Sequence, residues 1–172
     1  GGQFRKWYGN NEWTVFWKDN GELIKKAHQN KEIVATLRNL ERFFKGDLTY
    51  TYITSGKFNA RYCEENVCYS GAGASINSSD NTYTLGFINS KVYMKFIEAL
   101  KGKTMRFEVG DVESIPLLIN NNTIIDQIKN LVKCNINISK NEWDSFELSW
   151  RFKKHPLLDF KSTKIEISFN KW

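Results

Sequence analysis

The stretch DNTYTLGFINSKVYMKFIEALKGKTMRFEV, residues 80–109, decides the fold class. Asp80 or Ser79 can cap a helix that begins just after them, and Gly102 can end it. Apolar side chains at helical spacing predict one continuous helix, whose core side is formed by Tyr83, Phe87, Val92, Phe96 and Leu100. The β-forming residues that follow predict a strand over 105–109. A helix and a strand in one short stretch indicate an α+β protein.

The flanking segments extend the same mixture of elements. Alternating or β-forming residues predict strands over 12–18, 48–54, 58–62, 66–69 and 161–169. Periodic apolar residues predict helices over 22–44, interrupted near Asn30, and over 123–132, and Ser139 can cap a further helix through Phe146. Turns fall at 18–21 and 55–57, 70–75 (SGAGAS) reads as a flexible loop, and 115–117 is an extended exit. We expect one α+β domain over 1–172, with a mixed sheet and packed helices.

Length and composition agree with a folded chain. The 172 residues fit a single domain, and 41% hydrophobic with 15% aromatic residues exclude a disordered chain. No apolar run approaches the length that spans a bilayer, and the first residues are polar and basic, so we expect neither a membrane helix nor a signal peptide. The expected location is the cytoplasm.

The cysteines predict no metal centre. Cys63, Cys68 and Cys134 are an odd number, and His28 and His155 lie far from the first two. Structural zinc sites need a second ligand pair at short spacing, which this chain lacks. We expect free thiols in a reducing compartment.

Basic residues form clusters between aromatic ones. The net charge is +6, from 25 Lys and Arg against 19 Asp and Glu. One charge cluster alone is usually a solvated face. Three clusters among aromatic residues favour a phosphate-rich ligand. They comprise Arg5 and Lys6; Lys91, Lys95, Lys101, Lys103 and Arg106; and Arg151, Lys153, Lys154 and His155.

The chain completes neither a nucleotide-binding loop nor a proline motif. Residues 67–76, VCYSGAGASI, resemble a glycine-rich cofactor loop, but Ile76 stands where a third glycine belongs and the next helix begins late. A ligand-contacting or flexible loop is the better interpretation. Enzymes that methylate amino groups of DNA need an Asn/Asp-Pro-Pro-aromatic loop, and the only prolines here are the isolated Pro116 and Pro156.

Hydrolytic chemistry has no better support. The G-x-S-x-G motif is absent, and neither histidine lies in a recognisable Ser-His or Cys-His setting. Glu142 and Asp144 would point to different faces of a helix, and the spacing of Glu108, Asp111 and Lys103 is generic. The sequence therefore nominates no catalytic and no metal-binding residue.

Five segments in order carry a family resemblance. They are GGQFRKWYGNNEW (1–13), TYITSGKFNARY (51–62), LGFINSKVYMKFIEAL (85–100), MRFEVGDVESIPL (105–117) and SWRFKKHPLL (149–158). Together they resemble the C-terminal region of the PglX-like adenine-specific DNA methyltransferases of BREX phage-defence systems and related fused restriction-modification enzymes. The FINSK helix with its strand and IPL exit is also similar to target-recognition domains of type I specificity subunits.

The resemblance implies a single target-recognition-like domain over 1–172 of a larger methyltransferase. The catalytic domain would lie N-terminal to it, and a strand-like end at Trp172 fits a chain that continues. The implied partners are double-stranded DNA and that catalytic domain, which would bind S-adenosylmethionine; this region would hold no cofactor. Residues 20–44 and the SGAGAS loop match the family only loosely, so its target sequence does not carry over.

For such a domain we predict two kinds of DNA contact. Lys and Arg contact phosphates, and Asn and Arg read adenine and guanine edges. The phosphate candidates are Arg5, Lys6, Lys57, Arg61, Lys91, Lys153 and Lys154, with the backbone of Ser55 and Gly56 at a tight turn. The base-edge candidates are Asn59, Arg61 and the 70–75 loop, including Ser70, Gly71, Gly73 and Ser75.

The residues leave alternatives open. Phe4, Trp7 and Tyr8 favour core or inter-domain packing over base stacking, and Asn89 and Ser90 favour helix packing or local hydrogen bonding. A protein-interaction module that docks on the catalytic domain or on other defence subunits is the second function class. Its binding would be insensitive to salt, with hot spots at Trp13, Trp17 and Trp143. An autonomous enzyme is disfavoured.

Overall fold

The computed structural model describes residues 3–34, 37–69, 73–119 and 121–171. Three strands, Leu48–Thr51 (β1), Ala60–Tyr62 (β2) and Gly73–Ile76 (β3), form the sheet. The helices are Lys18–Gln29 (α1), Asn81–Ile88 (α2), Lys91–Lys101 (α3), Val109–Ser114 (α4), Asn122–Trp143 (α5) and Ile165–Lys171 (α6). Short 3₁₀ turns occupy Leu40–Arg42 and Pro156–Asp159. The predicted α+β class is confirmed.

The sheet has the order β2-β1-β3, and both pairings are antiparallel. Thr49 at its centre lies opposite Arg61 on one side and Ser75 on the other. Trp7 adds a parallel bridge to Arg61 at the outer edge of β2, where its N–H donates to the Ala60 carbonyl at 3.0 Å. The N-terminal segment thus extends the sheet and gives it one parallel contact.

The core centres on the fully buried ring of Phe58, just before β2. Its centroid lies 5.4 Å from that of Tyr50, 5.3 Å from Tyr93 and 5.2 Å from Phe107. Such pairs add stability beyond the area they bury. Strand β1, helix α3 and the segment before α4 therefore meet at one aromatic cluster. The other core residues are Leu48, Ala60, Leu85, Ile88, Met94, Ile97, Val112 and Val132.

The helix predicted over 80–100 is broken in two. Asn89 ends α2, and the Ser90 hydroxyl accepts the Tyr93 N–H at 3.1 Å to cap α3. The break rotates the buried face of α3, so Tyr93, Met94 and Ile97 point inward. The prediction of core positions at Val92, Phe96 and Leu100 is therefore wrong, because all three are exposed. Gly102 ends α3 with φ 63°, as predicted.

Several predicted strands take other conformations. Residues 12–17 and 66–69 are irregular, 105–109 contributes only a bridge from Arg106 to Ile53, and 161–169 gives way to α6. An alternating pattern forms a strand only where it pairs with another strand, and within the described residues the one pairing found in these segments is the Arg106–Ile53 bridge. In α6, the Ser168 hydroxyl donates to the Phe160 carbonyl at 2.6 Å.

The helix predictions need two changes of length. The helix predicted over 22–44 ends at Gln29, close to the expected interruption. Helix α5 runs on through Ser139, whose hydroxyl bonds the carbonyls of Lys6 and Tyr8 at 3.1 Å each instead of capping a new helix. None of the helices in the described ranges combines the length and apolar content that a membrane span needs.

Candidate nucleic-acid interface

The basic N-terminal segment lies between β2 and α5. Tyr8 is buried, and the Lys140 ammonium of α5 donates to its hydroxyl at 3.1 Å. Trp7 pairs with β2 and packs against the core. The packing role predicted for Trp7 and Tyr8 is confirmed, whereas Phe4 is exposed. This packing fixes where the neighbouring Arg5 and Lys6 are presented.

Two predicted phosphate contacts, Lys6 and Lys57, lie near each other, and a third, Lys91, follows shortly after the residue that Lys6 contacts. The Lys6 ammonium donates to the Asn89 carbonyl at 2.9 Å, and Lys91 opens α3 two residues later. Burial and the nearby Lys57 ammonium lower the pKa of Lys6. Lys57 and Lys91 are exposed, and neither forms an ion pair with a residue in the described ranges. We call Lys6, Lys57 and Lys91 the lysine cluster.

The turn at 54–57 carries Lys57 of this cluster. The Gly56 N–H donates to the Thr54 hydroxyl at 2.9 Å, so this amide is already used within the turn. The Lys57 carbonyl accepts from the Asn59 side chain at 3.1 Å, which holds the turn against the start of β2. Ser55 remains exposed at the tip. The turn presents the Ser55 and Lys57 side chains outward on a hydrogen-bonded frame.

Arg61 and Asn59 are part of that frame. Arg61 is 2% exposed and Asn59 1%, so neither side chain lies at the surface. Arg61 Nη1 donates to the Arg5 carbonyl and to the Thr51 hydroxyl, at 3.1 Å each, and to Asn59 Oδ1. The Thr51 hydroxyl also donates to Asn59 Oδ1 at 3.0 Å. Both side chains join β1, β2 and the N-terminal segment through these hydrogen bonds.

Two of the remaining basic candidates form ion pairs. Arg5 forms an ion pair with Glu142, and Lys154 forms one with Asp159. Lys153 is exposed and follows Phe152 in the same segment as Lys154. An ion pair between Arg151 and Glu64 holds this segment to the end of β2. The structure therefore pairs Arg5 and Lys154 with carboxylates and leaves Lys153 exposed.

The predicted base-reading loop is partly strand. Ser70 and Gly71 lie outside the described residues. Gly73 and Ser75 belong to β3 and pair with Thr51 and Thr49 of β1. The expectation of a loop at Gly73 and Ser75 is wrong because β1 supplies a free edge for them, and both residues are half-buried in the sheet.

The start of α2 carries an acidic cap of its own. The Asp80 carboxylate accepts the Tyr83 N–H at 3.0 Å and pairs with Lys129 at 2.8 Å. Although burial opposes it, these partners hold the pKa of Asp80 below its usual value. The helix terminus already carries its own anion, so a cofactor phosphate or carboxylate would compete with Asp80 for the same N–H groups.

An aromatic cleft lies where the N-terminal segment and residues 149–151 meet the sheet. It has a volume of about 520 Å³, and segments 8–17, 61–69 and 149–151 line it. Trp13 is 86% exposed and Trp150 70% exposed. Of the predicted hot spots, Trp17 is half-buried against Phe43 and Trp143 is buried, so only Trp13 is freely accessible. The sequence analysis missed Trp150 as an exposed site, although it adjoins the basic run 151–155.

Comparison with known proteins bears on this arrangement. No family model matches the chain. It is 33% identical over 182 aligned residues to "Adenine-specific methyltransferase PglX" of Lacticaseibacillus casei (strain Zhang), with all of this chain and 15% of that protein aligned. It is 32% identical over 166 residues to "Adenine-specific methyltransferase BrxX" of Escherichia coli O9:H4 (strain HS), with 94% of this chain aligned. That alignment covers 13% of BrxX. The chain is therefore a homologue of one segment of the PglX and BrxX adenine-specific methyltransferases.

Proposed function

We propose that this segment binds duplex DNA as the target-recognition part of an N6-adenine DNA methyltransferase of a phage-defence or restriction-modification system. The observation that carries the proposal is that the Lys6 ammonium lies near Lys57 and against the end of α2, two residues before Lys91 at the start of α3. The homology to adenine-specific methyltransferases supports DNA as the ligand for that positive surface. Such a protein would act in the cytoplasm.

The cluster is suited to a phosphate backbone. Lys57 and Lys91 extend freely, while Lys6 is tied to the end of α2. The N-terminus of α3 adds the partial positive charge of its free N–H groups beside Lys91. Phosphate contacts set the register of the duplex, and the side chains of the 54–57 turn would then reach a groove. Asn59 and Arg61 hold that turn from beneath.

Catalysis belongs to the rest of such an enzyme. A recognition domain positions the duplex so that a catalytic domain can extrude the target adenine. S-adenosylmethionine would be bound by that domain, as the homology to adenine-specific methyltransferases suggests. This segment would bind the DNA phosphates through its positive charges and hold the duplex in position.

The test is duplex binding at two salt concentrations. Three phosphate contacts predict a slope of about −2.7 in log K against log salt, so affinity should fall roughly 40-fold between about 50 and 200 mM salt. Changing Lys57→Ala and Lys91→Ala together should remove about two-thirds of that slope. Fluorescence anisotropy with a labelled duplex measures both quantities.

Lys161→Ala is the matched control, because Lys161 is exposed and distant in sequence from the cluster. Arg61→Ala is a poor probe of DNA contact, since it removes a buried framework group. Equal slopes for the Lys57/Lys91 variant and the Lys161 variant would refute the assignment of the cluster.

A second candidate is a protein-interaction module. The exposed Trp13 and Trp150 at the aromatic cleft favour it, because large exposed aromatic side chains are frequent interface hot spots. Binding of a protein partner that is lost in Trp13→Ala and unchanged by salt would support this alternative over DNA.

A further inference from the structure

Helix α3 lies at the surface with one wide face uncovered. Its inward side consists of Tyr93, Met94 and Ile97. The exposed residues that alternate with them at helical spacing form what we call the α3 outer face, which comprises Val92, Lys95, Phe96, Ala99 and Leu100. Val92, Phe96 and Leu100 are 53%, 57% and 48% exposed. An apolar row on successive turns of an exposed helix, with an aromatic ring at its centre, marks a candidate binding surface.

Positive side chains flank this face at both ends of the helix. Lys91 stands at the N-terminal end, two residues after the carbonyl that Lys6 contacts. Lys103 and Arg106 are exposed just beyond the C-terminal end. None of these three exposed cations forms an ion pair with a residue in the described ranges. Glu98 is the one acidic residue of α3, and it lies on the Lys91 edge, seven positions further along the helix.

The length of α3 matches one groove of duplex DNA. Its 11 residues, at about 1.5 Å each, extend over roughly 16 Å. The major groove is about 12 Å wide and admits a helix, whereas the minor groove, about 6 Å wide, does not. A helix of this length can therefore cross the major groove and bring its two positively charged ends to the phosphates on either side.

The side chains between the charged ends suit base edges. Aromatic and small apolar side chains such as Phe96 and Ala99 contact the methyl group of thymine, and a lysine such as Lys95 donates to the acceptors of guanine. A protein partner would also cover the apolar row, but it would not account for unpaired cations at both ends. Phosphates account for the ends and bases for the middle, so the observations favour DNA.

We propose that α3 lies in the major groove of bound duplex DNA and that its outer face reads bases, with Phe96 against the C5 methyl group of a thymine. This inference rests on the proposed function and names the element that reads the sequence. Asn59 and Arg61, which the sequence predicted for that role, are buried. Helix α3 is exposed and adjoins the lysine cluster, which would hold the neighbouring phosphates.

Photo-cross-linking tests the contact without knowledge of the target sequence. A pool of random duplexes, enriched for binding to the chain, is prepared with 5-bromouracil in place of thymine. The bromine stands where the methyl group of thymine does, in the major groove, so irradiation links the base to a side chain beside that position. We expect mass spectrometry to find the cross-link in the tryptic peptide 96–101, at Phe96.

Two matched variants sharpen the test. Phe96→Ala should remove that cross-link and weaken binding to the thymine duplex by about fourfold, the value of roughly one buried methylene group. It should leave the salt slope unchanged, because the slope counts phosphate contacts. Phe16→Ala removes a phenylalanine that is 63% exposed outside α3, and it should change neither the cross-link nor the affinity.

The possible failures separate this inference from the proposed function. Salt-dependent binding with the cross-link in another peptide, or with a Phe96→Ala affinity equal to that of the unaltered chain, would overturn the role of α3 and leave DNA binding standing. Binding to no duplex, or binding without salt dependence, would overturn both.

Discussion

Asn89 joins the helices to the sheet through both halves of its side-chain amide. Its Oδ1 accepts the Ala60 N–H at 3.2 Å, and its Nδ2 donates to the Ala60 carbonyl at 3.0 Å. Its own carbonyl accepts from Lys6. The packing role predicted for this residue is confirmed. Asn89 therefore pairs the backbone N–H and carbonyl of Ala60 in β2 through its side chain. Its backbone carbonyl holds the Lys6 ammonium.

Asn89→Ala should lower the free energy of unfolding by about 2 kcal/mol, because it leaves a buried N–H without its partner. Asn137→Ala, on an exposed face of α5, should change it by less than about 0.5 kcal/mol. Urea unfolding measures both, with the midpoint compared at constant slope. Matching midpoints for the two variants would show that the amide contributes little.

Helix α5 approaches α2 closely at Gly86, which has no side chain in the way. A Cβ on Gly86 would lie 2.8 Å from Val132 Cγ2 and 3.0 Å from Ile128 Cγ2. Both neighbours are β-branched, so neither can swing aside easily. The close contact at Gly86 is what lets Val132 reach the core.

Gly86→Ala should destabilise the protein by about 1 kcal/mol, since the clash outweighs the better helix propensity of alanine. Gly110→Ala is the control, because it lies in α4 with no atom within 4 Å of the added Cβ, and it should be neutral or stabilising. Thermal unfolding compares the two. A Gly86 variant as stable as the Gly110 variant would contradict the packing argument.

Across the whole molecule, Glu64 links segments that are distant in sequence. Its carboxylate accepts from Lys140 of α5 at 3.2 Å and from Arg151 at 2.6 Å. The neighbouring Trp150 indole donates to the Glu12 carbonyl at 2.9 Å. These contacts hold segment 149–151 to the end of β2 and to the N-terminal region.

Glu64→Gln should loosen segment 149–151 with little effect on the core. Ion pairs that are partly exposed contribute at most about 1 kcal/mol, so the unfolding midpoint should move only slightly. Amide hydrogen exchange in that segment should accelerate, while exchange in β1 stays slow. Glu113→Gln, exposed on α4, should change neither. Unaltered exchange near Trp150 would mean that its indole bond and the hydrogen bonds of Ser149 to Phe146 and Asp144 anchor the segment without Glu64.

The sequence by itself determined the features that depend on short-range chemistry. The α+β class, the cap at Asp80 and the stop at Gly102 follow from local backbone preferences, and the methyltransferase resemblance follows from ordered motifs. The tertiary structure decided where burial departs from the local pattern. It moved Arg61 and Asn59 into the frame and left Phe96 exposed, because burial depends on neighbours distant along the chain. No local pattern specifies those neighbours.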